Sequence, residues 1–585
     1  MRNDYLIKKL YVSFLVVSVL SALTATVGML IDNIIVGMYL GEVSLGAMGI
    51  VGPISLIFSA IGNICSGGGT ARAAQALGRG NKEKLFGIFT VTILFAVMGG
   101  LLVTIAGLLF TPQIAVLLGA KGELLEPAVQ YLRGYFLGAI PTIMLTALSG
   151  FVKIDGSSKL PLISIVVMTV ANIILDLLMI HIFKLGMFGM ALATTISYVL
   201  AVLVTCTHFK KANATLRMIR PEKVFDELLQ MITTGAPTAI SRICDTIKVM
   251  VLNNMMVLFV GVGAVTALNI RTQASNFFGA FIMGIAQASV PLSGLFYGEE
   301  DKTALKDTLK NTLKIGLFIN GLFAIIILVI APLFVSIMGV ADPEIKKMSV
   351  GAVRMFAMGM PFALINYVMM SYYQSTKRVG MATMICILQS LVYVLMLAVI
   401  LIRPFADTGV WSAFFASEIL TIMTTIIVLI IHYRRFPGSF EDIMRLQEGF
   451  GSDENRRLEI SIGNSMEELM NVAAGIYKFG KGRNISDKLL GELSLCIEEI
   501  GGNVIKHAFK PGEKKWFDIM ILDKEDSLIV RLRDNGASFD PVKYVDENHA
   551  DQERFGLRLI RGMADDIQYK RTLDLNNLII VLKKV

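Results

Sequence analysis

Asp32 stands inside an apolar run, MLIDNIIVG, with Asn33 beside it. A carboxylate held at bilayer depth is costly, so one that is present calls for a reason. The functional reason is a proton or cation site, because a carboxyl taken out of water can be poised to load and release a proton. The structural reason is a polar group near the outer end of a long span, satisfied by a neighbouring helix. Asp245, in GAPTAISRICDTIKVM, poses the same choice with one more alternative. Arg242 lies three residues earlier on the same helix face, where an internal ion pair forms. Asp176 in ANIILDLLMI and Glu418 read more simply, as groups that cap a helix or reach toward an interface. Three further constellations lie near the end of the chain. Glu499 and Asn503 are four apart and share a helix face, with Glu498 adjacent and His507 one turn on. Asp534-Asn-Gly-Ala-Ser-Phe-Asp540-Pro closes a strand with a Gly-containing turn, and Arg554-Phe-Gly556 opens a helix. Taken singly, an Asn on a helix or an Asp-Asn-Gly turn is ordinary surface chemistry.

These residues are positioned by elements that belong in two solvents. Of 585 residues, 54% are hydrophobic and only 17% charged, a membrane composition. Apolar runs long enough to cross a hydrocarbon core, about 20 residues each, recur until the seam HYRRFPGSFEDIMRLQEGFGSDENRR, after which charges become frequent. The runs number twelve. Alternate connections carry the Lys and Arg residues (Lys82 and Lys84, Lys210 and Lys211, Arg434 and Arg435 among them), which places these loops and both termini on the cytoplasmic side. The net charge of +8 is therefore read as loop charge that sets orientation, with no nucleic-acid partner. The N-terminus begins basic and apolar, yet the apolar run continues past Met29, so it reads as an uncleaved first span. The five cysteines are scattered singly, as packing residues in a reducing setting. Most of the 32 methionines lie in spans, where they fill irregular packing and suit a lining that tolerates varied apolar ligands.

One shift organises the membrane part. Adding 220 to Gly41, Ala47, Gly78, Asn81, Lys82, Pro141 and Gly189 lands on Gly261, Ala267, Gly298, Asp301, Lys302, Pro361 and Gly409. The chain thus reads as two six-span lobes related by duplication, 1–220 and 221–436, followed by a linker, 437–457, and a soluble domain, 458–585. With an even span count per lobe, the lobes keep one orientation and the cleft between them is the natural substrate site. Gly67-Gly68-Gly69 marks a place where a helix can unwind or be closely approached.

From about residue 5 to 435 the chain resembles the multidrug and toxin extrusion (MATE) family. The likeness rests on Asp32 to Gly37, the loop ARAAQALGRGNKEK and its second-lobe counterpart. It implies export of drugs or metabolites, small organic substrates, in exchange for H⁺ or Na⁺, in a bacterial cell membrane. Asp32 matches the first-lobe acid implicated in coupling, and Asp245 matches a span-seven position that is often Glu. A further acid of span ten in some members is Asn366 here, a departure that favours proton coupling through Asp32.

In the soluble half, RRLEISIG reads as a strand, two amphipathic helices follow, then a hairpin, a short helix and two final strands, an α+β layer. The three constellations resemble, in order, the boxes of the GHKL (Bergerat) ATPase fold, in the variant of anti-sigma-factor serine kinases. The resemblance implies ATP and Mg²⁺ as cofactors. Asn503 would hold Mg²⁺ across the phosphates, and Glu499 would act on the attacking hydroxyl or water. Asp534 would accept from the adenine amino group, Gly536 would let the backbone pass the base, and Gly556 would bring a helix N-terminus to the phosphates. Arg554 replaces a glycine of the last box and the lid VDENHADQER is short and acidic, which favours nucleotide binding over turnover.

The expected architecture is an α-helical polytopic membrane protein with twelve transmembrane helices in two six-helix lobes, plus a C-terminal α+β GHKL ATP-binding domain. The expected activity is cation-coupled antiport regulated by a cytoplasmic nucleotide-binding domain. Two alternatives stand beside it. One is a membrane sensor coupled to a serine kinase with an anti-anti-sigma-like protein partner; the other is a flippase for lipid-linked precursors, which would want Arg or Lys in the cleft.

Overall fold

The computed structural model describes residues 4–584 except 212–213, 222, 341, 448, 452–455, 482, 484, 510–512, 514, 539, 541–554 and 574. Two compact units result: Ser13–Leu446, and Gln447–Val585 together with Met1–Val12.

The first unit is helical. Helix α1 (Tyr5–Asn63) breaks at Gly41, where φ of +84° suits only glycine, and runs through a π-turn, Ile64–Gly69, into α2 (Thr70–Gly78). There follow α3 (Lys82–Leu109), α4 (Thr111–Leu117), α5 (Leu125–Leu137), α6 (Ala139–Ile154), α7 (Leu160–His181) and α8 (Gly186–Cys206). The second lobe holds α9 (Val224–Phe259), α10 (Val262–Gly298), α11 (Lys302–Ile337), α12 (Pro343–Ser375), α13 (Val379–Ile387), a π-turn, Leu388–Val392, and α14 (Tyr393–Tyr433). Among the described residues, 9 helical stretches are long and apolar enough to span a bilayer, or 10 if the pair α5 and α6, bent by 45°, is one span. Twelve were expected from the sequence, and two features account for the difference. The stretch Val379–Tyr433 breaks at Ala406 and makes two legs. Helix α9 is long enough, but Arg242, Asp245 and Lys248 in its middle dilute its apolar character. Large apolar side chains such as Phe318 and Val329 point outward, as lipid-wetted surface does.

The 220-residue repeat is visible in the backbone. Gly41 and Gly261 both take positive φ (+84° and +123°) at the turn between the first two legs of each lobe. Asn81 caps α3 by accepting from the Lys84 N–H (2.9 Å), and Asp301 caps α11 by accepting from the Ala304 N–H (3.0 Å). Gly78 and Gly298 cross each other: a Cβ on Gly78 would lie 2.2 Å from the Leu295 carbonyl, and one on Gly298 would lie 2.2 Å from the Gln75 carbonyl. The contacts are related by the same shift, so the pseudo-twofold axis passes through this crossing. Around it the lobes are joined. Arg72 pairs with Glu227 (2.5 Å) and Gln75 donates to the Ser375 carbonyl (2.6 Å), while Gln374, which donates to the Thr234 carbonyl within the second lobe (2.8 Å), lies against Gly67 of the first. The Gly67-Gly68-Gly69 stretch lies in the π-turn, where a Cβ on Gly68 would strike the Met231 carbonyl of α9.

The expected linker is not free over its first half. Ser439 and Asp442 form a capping box for a single helical turn, α15 (Phe440–Met444), and Arg435 grips Asp442 through two hydrogen bonds (2.8 and 2.9 Å). Glu441 binds Lys302 (2.5 Å) and Lys306 (2.9 Å). Tyr372 and Tyr373 donate to the carbonyls of Met444 and Ile443, and Arg378 to that of Arg445. Backbone carbonyls left over at the end of a short turn need donors, and the second lobe supplies them.

The other unit carries a five-stranded antiparallel sheet of order β1-β2-β3-β5-β4, with β1 Arg457–Gly463, β2 Trp516–Asp523, β3 Ser527–Asp534, β4 Asp566–Thr572 and β5 Leu575–Lys583. Helices α16 (Met466–Gly480) and α17 (Asp487–Asn503) bury Leu469, Ile476, Leu493 and Ile497 against Phe517, Ile519, Val530 and Ile580 of the sheet. A π-turn, Val504–Ala508, continues α17, and α18 (Phe555–Met563) packs beside it. Arg554 and the acidic lid lie outside the described residues. All five cysteines are free.

Candidate functional site

In the first lobe, Gly28 of α1 lies against Thr169 of α7, and one turn on from each the chemistry gathers. Asn172 donates to Asp32 Oδ1 (2.6 Å) and to Asp176 Oδ2 (3.1 Å), and the two carboxyls are within hydrogen-bonding reach of each other. Asp176 is therefore no helix cap: it is fully buried at the centre of the cluster. The legible signal was Asn172 and Asp176 at i and i+4, which share a face with Thr169. Thr169 Oγ1, Asn172 Oδ1 and Asp176 Oδ1 are buried with no hydrogen-bond partner. Orphaned oxygens of this kind are rare in a folded protein and mark a place built for something else. Tyr131 and Tyr198 border the two acids. All the donors are hard oxygens, the set that suits a proton or an alkali cation rather than a soft metal.

The second lobe is different. Asp245 pairs with Lys248 (2.6 Å), not with Arg242. Helical side chains lean toward the N-terminus, so the long Lys248 stem reaches back over Asp245. Asn366 does not join Asp245; its amide donates to the Glu418 carboxylate (2.8 Å) and carbonyl (3.0 Å). Gln389 donates to the other carboxylate oxygen of Glu418 (3.3 Å). Glu418 is thus an internal acid held by two amides, not an interfacial one.

In the C-terminal domain, one cavity is lined by Asn503, His507, Asp534, Ala537, Tyr569 and Asn576, with apolar walls from Ile500, Leu532 and Leu578. Asp534 Oδ1 accepts from the Gly536 N–H (2.7 Å) and from Asn576 Nδ2 (2.8 Å). Asn576, which sequence reasoning missed, also accepts from the Tyr569 hydroxyl and from Arg571. Two polar residues in a buried strand, Asn576-Asn577, were the signal available. Gly536 serves a backbone approach: a Cβ there would lie 2.3 Å from the Ala508 carbonyl, which accepts from the Ala537 N–H (2.8 Å). Glu499 does not line the cavity; its carboxylate lies against Gly556, where a Cβ would sit 2.0 Å away.

Burial pushes the Asp534 carboxyl above the ordinary aspartate range, against the opposing pull of Gly536, Asn576 and Arg571. A carboxyl so raised takes up its proton at higher pH than a free one and then no longer accepts from an exocyclic amine. If, as the resemblance to the GHKL fold implies, this carboxyl accepts from adenine, adenine-nucleotide affinity is expected to fall on acidification before ordinary carboxylates titrate, and Asp534→Asn should remove that pH dependence together with most of the affinity. Titration of a fluorescent ATP analogue against pH measures both.

The MatE family model matches residues 18–178 and 237–400 of this chain. A second model, described as a histidine kinase-like ATPase domain, matches residues 464–582. Multidrug export protein MepA of Staphylococcus aureus (strain bovine RF122 / ET3-1) is 26% identical over 397 residues, which cover 67% of this chain and 86% of MepA. The protein of the same name from Staphylococcus saprophyticus subsp. saprophyticus is 27% identical over the same shares. A solved outward-facing conformation of a multidrug resistance MATE family transporter of the MOP superfamily superimposes with a TM-score of 0.67 at 21% identity, over 72% of this chain and 94% of its own, a likeness of fold.

Proposed function

This chain belongs to the MatE family, and we propose that it is an ion-coupled exporter of small organic compounds, drugs among them, with a nucleotide-binding domain that regulates it from the cytoplasm. The observation that carries the coupling is the set of orphaned oxygens around Asp32, Asn172 and Asp176. A proton or Na⁺ bound there would satisfy them, and the cluster lies in the lobe that offers it two acids and, among the described residues, no base at hydrogen-bonding distance. Multidrug export, the printed activity of the MepA relatives, supplies the substrate class. Exchange then follows from alternating access: the joined ends of the lobes around Gly78 and Gly298 part as the opposite ends close.

In the C-terminal domain the residues fit a nucleotide. The buried Asp534 carboxylate would accept from the adenine amino group, with Tyr569 and the apolar walls beside the base. The Asn503 amide oxygen is a ligand type that Mg²⁺ takes, and Mg²⁺ would neutralise the phosphates. Glu499 is the candidate base. The docked turn α15 supports a regulatory reading, since it ties the start of the tether to the loop ends of α11, α12 and α13.

The test is transport by the full chain in proteoliposomes with imposed H⁺ or Na⁺ gradients, with and without ATP on the side of the soluble domain. Gradient-driven flux, modulated by ATP and insensitive to its hydrolysis, is the expected result. Flux that needs ATP and no gradient would overturn the proposal. ATP-dependent phosphorylation of a partner protein, lost in Glu499→Ala without any flux, would replace it with the sensor kinase.

A further inference from the structure

Arg271, on α10, is a charge inside a span that the coupling site does not use. Its guanidinium carbon lies 3.3 Å from the centroid of the Phe414 ring and 5.7 Å from that of Phe356. The Lys248 ammonium stands 5.9 Å from the same Phe414 ring, so two cations gather about one aromatic side chain. Acids are near: Glu418 and Asp245 both act on the guanidinium through space. Neither is its partner. Glu418 is held by the amides of Asn366 and Gln389, and Asp245 by Lys248. Arg271 makes no hydrogen bond or ion pair among the described residues, and its Nε is buried and unsatisfied.

A half-buried cation at bilayer depth without an acceptor is expensive, and nothing in the duplication requires it. The 220-residue shift puts Val51, buried and apolar, at the matching place in the first lobe. The first lobe therefore gathers acids and the second keeps an unpaired base. A guanidinium lying flat on a ring still directs its N–H fork outward in its own plane, the geometry that meets a carboxylate with two parallel hydrogen bonds. The buried Phe414 and Phe356 rings hold that plane in place.

We propose that Arg271, with Lys248 beside it and Phe414 holding its plane, forms an anion subsite that binds the carboxylate of amphiphilic organic substrates. This rests on the export reading, but its test needs no gradient. Binding of rhodamine B, which bears a free carboxylate, and of its ethyl ester, which does not, is measured by fluorescence anisotropy on the purified full chain. Arg271→Gln should weaken rhodamine B by about tenfold or more and leave the ester within about twofold, and Arg271→Lys should restore part of the loss. Retained binding of the ester shows that the variant is folded. Equal losses for both dyes, or no loss for either, would overturn the proposal. So would a loss confined to phosphatidylglycerol, which would make Arg271 a lipid-headgroup site. A chain that binds both dyes as expected but shows no gradient-driven flux would refute the export reading alone.

Discussion

Asp32→Asn is expected to abolish gradient-driven export, lowering its initial rate by about a hundredfold, the scale of losing a positioned proton-transfer group. The substitution is nearly isosteric. The Asn172 amide loses a charged acceptor but keeps an oxygen, and the new amide can donate to Asp176, so the packing of α1 on α7 survives. What disappears is the ability of the cluster to change charge. Asp176→Asn should do the same, because one amide, Asn172, donates to both carboxyls and ties them into a single cluster. The double variant should be no worse than either single one. Flux assays on the three variants, with ATP-analogue binding as the folding control, decide the matter. Export by Asp32→Asn at near the unmodified rate would remove this cluster from coupling.

Gly298→Leu should trap the lobes apart at the end where they now meet. A Cβ alone would overlap the Gln75 carbonyl, a backbone atom that cannot swing aside, and leucine adds three more carbons. Overpacking of this kind costs about 1–3 kcal/mol, which shifts a two-state equilibrium by roughly fivefold to 150-fold. The reporter is Ala74→Cys in a background without the native cysteines. Ala74 is fully buried, and a Cβ on Gly294 would lie 2.8 Å from its own, so a thiol there is shielded while the crossing is closed. Gly298→Leu should raise its alkylation rate by the same roughly fivefold or more. An unchanged rate would mean that this crossing does not open. Gly78→Leu is expected to behave identically.

Much of this was open to sequence reading, and the limits have a physical origin. The repeat was legible because duplicated turns keep their special residues: Gly41 and Gly261 for backbone conformation, Asn81 and Asp301 for capping. That Gly78 touches its own copy was not, since symmetry states equivalence and not contact. Asp32 was conspicuous as a charge in an apolar run. Asp176 carries the same signal, but its partnership with Asp32 spans 144 positions and depends on how α1 packs against α7, for which the sequence holds no register. Arg271 was overlooked although an arginine inside a span is as costly as an aspartate. The lining of the C-terminal cavity was partly readable because Asn503 and Asp534 belong to local patterns, each within one turn or loop. Asn576 was not, because its role is to reach across the sheet from β5 to the end of β3.

The docked turn after the last span also sets where this chain can be divided. A truncation after Tyr433, where the hydrophobic helix stops, would strip the Tyr372 and Tyr373 hydroxyls of the carbonyls they serve and leave Lys306 without Glu441. A cut after Leu446 keeps those bonds and gives a transporter body whose polar ends are complete. The functional joint between the exporter and the ATPase-like module thus lies about a dozen residues beyond the membrane edge, and any exchange of modules between such proteins should be spliced there.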